Sequence, residues 1–156
     1  MSTFKRYAAG LHNVGSYQVS GLPYITGSAN QGNGSAVREV KYEFPYVTKK
    51  ITVMNHANKT IRIHFRPHDT PGTDPADSSA STSQVIDGLH YVELDSDEDK
   101  MEMNVKCREI YISTAAGTTG AAYRIYAEMT NIPAAEMLPL TGSGITGTPT
   151  GVTNIK

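Results

Sequence analysis

Glu39-Val40-Lys41-Tyr42-Glu43-Phe44 alternates charged and apolar residues without a break. Val40, Tyr42 and Phe44 fall on one face, and Glu39, Lys41 and Glu43 on the other. Successive side chains of a strand point to opposite sides, so this stretch predicts a half-buried strand. The pattern resumes after Pro45, with Ile51 and Val53 inward. Asn55-His56-Ala57-Asn58-Lys59 predicts a turn. Ile61, Ile63 and Phe65 then alternate with Arg62, His64 and Arg66. From Val37 to Phe65 the chain therefore predicts two or three strands folding back on one another. Such a meander forms one wall of a core and leaves its other face wet.

The same period returns downstream. Residues 85–94 have strand character and end in His90-Tyr91-Val92-Glu93-Leu94. Asp95-Ser96-Asp97-Glu98-Asp99-Lys100 predicts a sharp acidic turn. Met101, Met103 and Val105 alternate with Glu102, Asn104 and Lys106. Cys107-Arg108-Glu109 interrupts the pattern, as a bulge would, and Ile110 and Ile112 continue it. After a turn at Gly117 to Gly120, Tyr123, Ile125, Ala127 and Met129 alternate with Arg124, Tyr126 and Glu128. Pro133 closes that strand, because proline cannot donate to a ladder. About seven or eight short strands at this spacing, with no helical pattern, predict an all-β fold. An antiparallel β-sandwich or jelly roll comes first and a barrel second.

The 156 residues fit one domain of ordinary size. A chain this long buries about 68–70% of its unfolded surface and needs neither metal nor disulfide for stability. A formal net charge of −1 and a pI near 6.5 argue against a general nucleic-acid binder. Cys107 is the single cysteine, which excludes an intrachain disulfide. No apolar run approaches the roughly 20 residues of a membrane span. Met1 to Gly10 lacks the apolar core of a signal peptide.

Around the body, residues 36–133, lie two sparser units. Residues 1–35 carry short β-prone pieces, Tyr17-Gln18-Val19 and Pro23-Tyr24-Ile25, broken by glycines. Gly27 to Ser35 has linker composition. Two readings are open: an extended arm that adds a strand to another sheet edge, or the first strands of the same domain. Residues 134–156 are expected to form an extended tail. Its Gly/Thr/Pro tract from Thr141 to Lys156 has little to bury. Ordering such a tract costs about 1–2 kcal/mol per residue in backbone entropy, which a neighbouring subunit would have to offset. Residues 67–84, rich in Pro, Ser and Thr, predict a long exposed loop that either contacts a partner or is merely solvated.

Chemistry is sparse. Asp95, Asp97 and Asp99 match the first, third and fifth places of a calcium loop, but Lys100 and Lys106 stand where Gly and Glu belong. That leaves a loose cation site or a solvated acidic turn. His64 and His68 share no helical face and make no zinc pair, and His64 is placed on the wet side of its strand. Cys107 is expected to be a small buried apolar residue. Nucleophile elbow, phosphate loop and dinucleotide fingerprint are all missing from the sequence, so no catalytic residue and no cofactor is expected. Tyr7, Tyr17, Tyr24 and Tyr46 cluster in or near the arm, with Ile145 and Val152 as apolar points in the tail. Tyrosine suits an interface because the ring buries area while the hydroxyl keeps a partner. The same residues serve equally as ordinary sandwich tyrosines.

The run from Ala8 to Tyr24, AAGLHNVGSYQVSGLPY, resembles the N-termini of small virion structural proteins of tailed bacteriophages, those of marine cyanobacterial phages above all. Phe44-Pro45-Tyr46-Val47, Glu109-Ile110-Tyr111 and Thr130-Asn131-Ile132-Pro133 fit the same likeness. It implies a non-enzymatic, all-β capsid decoration or cement protein on the outer surface of the virion. Its partners would be the major capsid protein and copies of itself, with a trimer as one arrangement. A tail or neck adaptor or fibre-base subunit is the second expectation. A carbohydrate-binding module for host-surface glycan, using the 67–84 loop, is the third.

Overall fold

The alternating stretch Glu39–Glu43 is a strand, one of eight in a computed structural model that describes residues 10–11, 14–18, 21–31, 39–65, 91–114 and 118–137. In chain order they are β1 (Leu22–Gln31), β2 (Glu39–Glu43), β3 (Tyr46–Asn55), β4 (Ile61–His64), β5 (Val92–Leu94), β6 (Lys100–Met103), β7 (Glu109–Thr114) and β8 (Ala121–Pro133). A single helical turn, α1 (Gly15–Gln18), precedes them, and a 3₁₀ turn, Ala134–Glu136, follows.

The strands form two antiparallel sheets, ordered β1-β8-β3-β6 and β2-β7-β4-β5. The expected all-β sandwich of two antiparallel layers is therefore present. Pairing is nested: β1 with β8, β2 with β7, β3 with β6 and β4 with β5. The chain winds as one long hairpin would if it were wrapped around a common core.

That winding corrects the expected meander. β2, β3 and β4 are consecutive, yet β3 lies in one sheet while β2 and β4 lie in the other, separated by β7. A period of two says which side of a strand is apolar, not which sheet the strand joins. The crossing falls at Phe44-Pro45, where Phe44 is buried and its N–H donates to the Arg108 carbonyl. The interruption at Cys107 has the same cause. It is no bulge: β6 ends at Met103 in one sheet and β7 begins at Glu109 in the other. Thr48, fully buried, pins the passage between them. Its Oγ1 donates to Val105 O at 2.7 Å and accepts from Cys107 N at 3.0 Å.

Both inner faces contribute to one core. Ile51, Val53, Met103, Ile125 and Ala127 meet Ile61, Ile63, Leu94, Ile110 and Ile112. Tyr123, also fully buried, brings a polar atom inside. Its hydroxyl donates to Gln31 Oε1 and lies 2.9 Å from the Tyr42 hydroxyl, so the group is satisfied. Burial pushes the Tyr123 hydroxyl far above its ordinary pKa.

Cys107 is buried as expected, 1% exposed. Burial pushes its thiol up to about 11, against the opposing Thr48 hydrogen bond. The neutral thiol therefore prevails in the folded state, and the thiolate is the reactive form. At about pH 8, iodoacetamide should label Cys107 slowly in the native protein and rapidly in denaturant. Fast stoichiometric labelling of the native chain would contradict this placement.

The expected arm is in part body. Its residues Leu22–Gln31 are β1, paired with β8 from Leu22 opposite Met129 to Gln31 opposite Ala121. β1 thus completes the chain's own sheet. Of the expected tail, Ala134 N donates to Pro45 O. The 67–84 loop and the tract from Thr141 onward lie outside the described residues.

Candidate functional site

Alternation sends Glu39 and Lys41 of β2, Tyr111 and Ser113 of β7, and Arg62 and His64 of β4 to the face of their sheet turned away from the core. Such a face is expected to be wet. Instead His64 and Ser113 are fully buried, and Tyr111 and Arg62 nearly so. His64 therefore points as its strand parity requires, but it is not solvated.

A line of polar contacts runs along this face. His64 Nε2 lies 2.9 Å from Ser113 Oγ and 3.7 Å from Glu39 Oε2. Its ring stacks on Tyr111, with centroids 5.8 Å apart. Tyr111 donates to Glu109 Oε1 at 3.2 Å, and Glu109 in turn binds Lys41 Nζ at 2.9 Å. Burial, with the Glu109 charge beside it, pushes the Tyr111 hydroxyl up to about 12. Glu43 and Glu109 together raise the Lys41 ammonium above its ordinary range. On the far side Arg62 Nε donates to Glu93 Oε1 at 2.9 Å, and its guanidinium lies 4.9 Å from the Tyr91 ring centre.

Serine, histidine and a carboxylate in contact invite comparison with a hydrolytic relay. The contacts of Ser113 and Glu39 with His64 do not by themselves make one. Ser113 and Glu39 approach the same ring nitrogen, whereas a relay needs the carboxylate on the other. Ser113 is also sealed from solvent. These contacts satisfy buried polar groups. Nothing in the one-dimensional pattern announced them, since Glu39, His64 and Ser113 come from three separate strands.

The acidic turn does not gather Asp95, Asp97 and Asp99 around a common point. Each carboxylate serves the turn itself. Asp95 Oδ1 accepts from Ser96 Oγ, Asp97 Oδ1 from Glu98 N, and Asp99 Oδ2 from Ser96 N. Asp97 stands instead beside Glu98 and His56, with ligand atoms within 4.8 Å of one another and all three side chains exposed. His56 Nδ1 is 3.6 Å from Glu98 Oε1. The His comes from the turn after β3 and the carboxylates from the turn after β5, a juxtaposition that sequence spacing hides.

The start of β1 and the end of β8 lie at the opposite end of the sandwich. β1 begins with Leu22 opposite Met129, and β3 begins with Tyr46 opposite Pro133. The chain therefore enters β1 and leaves β8 at the same end. Tyr46 is exposed there. Tyr17 lies in α1 under Lys106, whose Nζ is 3.9 Å from the ring centre; both Tyr17 Oη and Lys106 Nζ donate to the Leu11 carbonyl. Tyr24 is half-buried. It packs edge-on against Phe44, with centroids 5.5 Å apart, at the margin of the core. A shallow depression of about 320 Å³ opens beside this end, lined by Lys41, Glu43, Phe44, Arg108, Glu109, Ala134 and Ala135. Tyr7, Ile145 and Val152 lie outside the described residues.

Among the described residues no helix is long and apolar enough to cross a membrane. No protein-family model matches this chain, and no curated protein resembles it at a significant level.

Proposed function

We propose that this chain is a non-enzymatic structural subunit of a virion, a decoration or cement protein that grips the outside of a phage capsid between major capsid subunits. One observation carries the reading. The first and last strands are neighbours, and both terminal segments join the body at one end, beside exposed Tyr46 and the Tyr17–Lys106 contact. Two sparse segments leaving one end of a rigid body make a clip. The nested pairing of the strands supports this use, because jelly rolls, an architecture that viral shell subunits employ, also pair their strands in a nested order. Fold alone does not fix function, so the weight rests on the arrangement of the ends.

The mechanism follows from physical cost. Segments with little apolar area order only against a partner, and extended segments do so by adding strands to exposed sheet edges. Deleting residues 141–156 should leave the body folded while particles assembled with the shortened chain carry markedly less of it. Unchanged occupancy and unchanged particle stability would remove the tail from the grip.

A further inference from the structure

β1 is the outermost strand of its sheet among the described residues, and its ten residues carry no charge. Long uncharged edges are templates for pairing, which proteins ordinarily blunt with lysine or glutamate. Tyr24 packs against the core, so strand parity turns Pro23, Ile25 and Gly27 to the outer face. Ile25 is 71% exposed. Across β8 it sits opposite Tyr126, flanked by Pro23 opposite Glu128 and Gly27 opposite Arg124. Arg124 already reaches over β1, where its Nη1 donates to the Ser28 carbonyl at 3.3 Å.

We propose that two copies of this chain pair antiparallel through β1 about a twofold axis at Ile25, joining two four-stranded sheets into one. The register is self-complementary. Ile25 meets Ile25 of the other copy, and Tyr126 flanks the pair on both sides, giving an apolar row. Gly27 falls opposite Pro23, which places Arg124 of each copy in line with Glu128 of the other. The two β8 strands would then stand about 14 Å apart, three strand spacings. Only Gly27 and Pro23 lie between Arg124 and Glu128, so Glu128, now 3.9 Å from Lys49 Nζ, would swing across open ground to meet Arg124. A slip of two residues would set Arg124 against Tyr126 in one direction or Glu128 against Tyr126 in the other, and a slip of one would turn the side chains to the wrong face. Proline in an edge strand keeps its donor-less nitrogen outward. The same parity turns the Ile25 and Gly27 N–H groups outward, where they would donate to the Ile25 and Pro23 carbonyls of the other copy. The pairing asks Pro23 only for its carbonyl. It stands on the sheet edge alone and holds whatever particle the chain belongs to.

Sedimentation velocity of the full chain from about 1 µM to about 1 mM tests it. A species of twice the 16.9 kDa chain mass is expected. Ile25→Lys should weaken the dimer about tenfold or more, since it places like charges directly opposite on a pairing edge. Arg124→Glu and Glu128→Arg should each weaken it, and the two together should restore it. Ile25 is solvent-facing, so its variant reports on pairing even where a charge reversal harms folding. A chain that stays monomeric throughout, or forms only trimers, overturns the proposal. So does a dimer indifferent to Ile25→Lys, or a double reversal no better than the singles. A monomer that loses particle binding on Ile25→Lys gives the edge to a foreign strand and overturns it equally.

Discussion

Gly27→Ala should destabilise the protein by about 3 kcal/mol, combining overpacking with strain at positive φ. Gly27 has φ +154, a backbone conformation that side chains rarely permit. A Cβ there would also overlap the Tyr123 carbonyl oxygen of the neighbouring strand. Neither obstacle is a flexible side chain that can swing aside, so β1 must lift from β8 to admit the methyl group. Gly10→Ala is the control: nothing lies within 4 Å of its added carbon, and a change below about 0.5 kcal/mol is expected. Urea unfolding of the two variants gives the comparison. Equal stabilities would mean that β1 does not pack against β8 in this register. Loss of stability at Gly27 alone would fix β1 as part of the body.

The second large effect is expected at Asn55, which is fully buried at the end of β3. Its Nδ2 donates to the Lys59 carbonyl at 2.9 Å and to the Leu94 carbonyl at 3.1 Å, while its Oδ1 accepts from Ala57 N at 3.2 Å. Its backbone pairs with the acidic turn as well, through Asp99 O and Glu98 N. One side chain thus closes the β3–β4 turn and ties it to β5 in the same sheet as β4. Asn55→Ala leaves those groups without their partner, the Leu94 carbonyl in a buried setting, and should cost about 2–3 kcal/mol. Asn55→Asp should be no better, because it loses both donations and buries a charge. Chemical denaturation of both variants checks this; a loss below about 1 kcal/mol in each would show that water replaces the lost bonds.

The strands were legible because alternation is a one-dimensional signal. Tyr42, Ile61, Ile63, Ile110, Ile112, Tyr123 and Ile125 all turn toward the core, as their period requires. Topology was not legible, because Pro45 and Cys107 mark where a strand stops and not where the chain goes next. The chain crosses from sheet to sheet at both, and loop-closure entropy is too weakly dependent on length to forbid it. Burial of His64, Ser113 and Arg62 was hidden for a related reason. Parity assigns a side chain to a face, while what covers that face depends on residues far away in sequence. The arm was half legible: Gly21 and Gly27 suggested flexibility, yet Gly27 is a glycine because β8 passes so close. The acidic turn was found by composition, and its partner His56 was not, since the two hairpin ends meet only in three dimensions.

In the proposed function a rigid two-sheet body grips a capsid at the end where β1 begins and β8 finishes. Quantitative mass spectrometry of purified phage particles assembled in the presence of this chain, coupled with lysine cross-linking before digestion, puts that proposal to the test. The prediction is a copy number comparable to that of the shell subunits, with cross-links to the major capsid protein from Lys106 at the terminal end and none from Lys59 or Lys100 at the other. Particles that lack the chain, hold only a few copies, or cross-link it through Lys59 and Lys100 would contradict it.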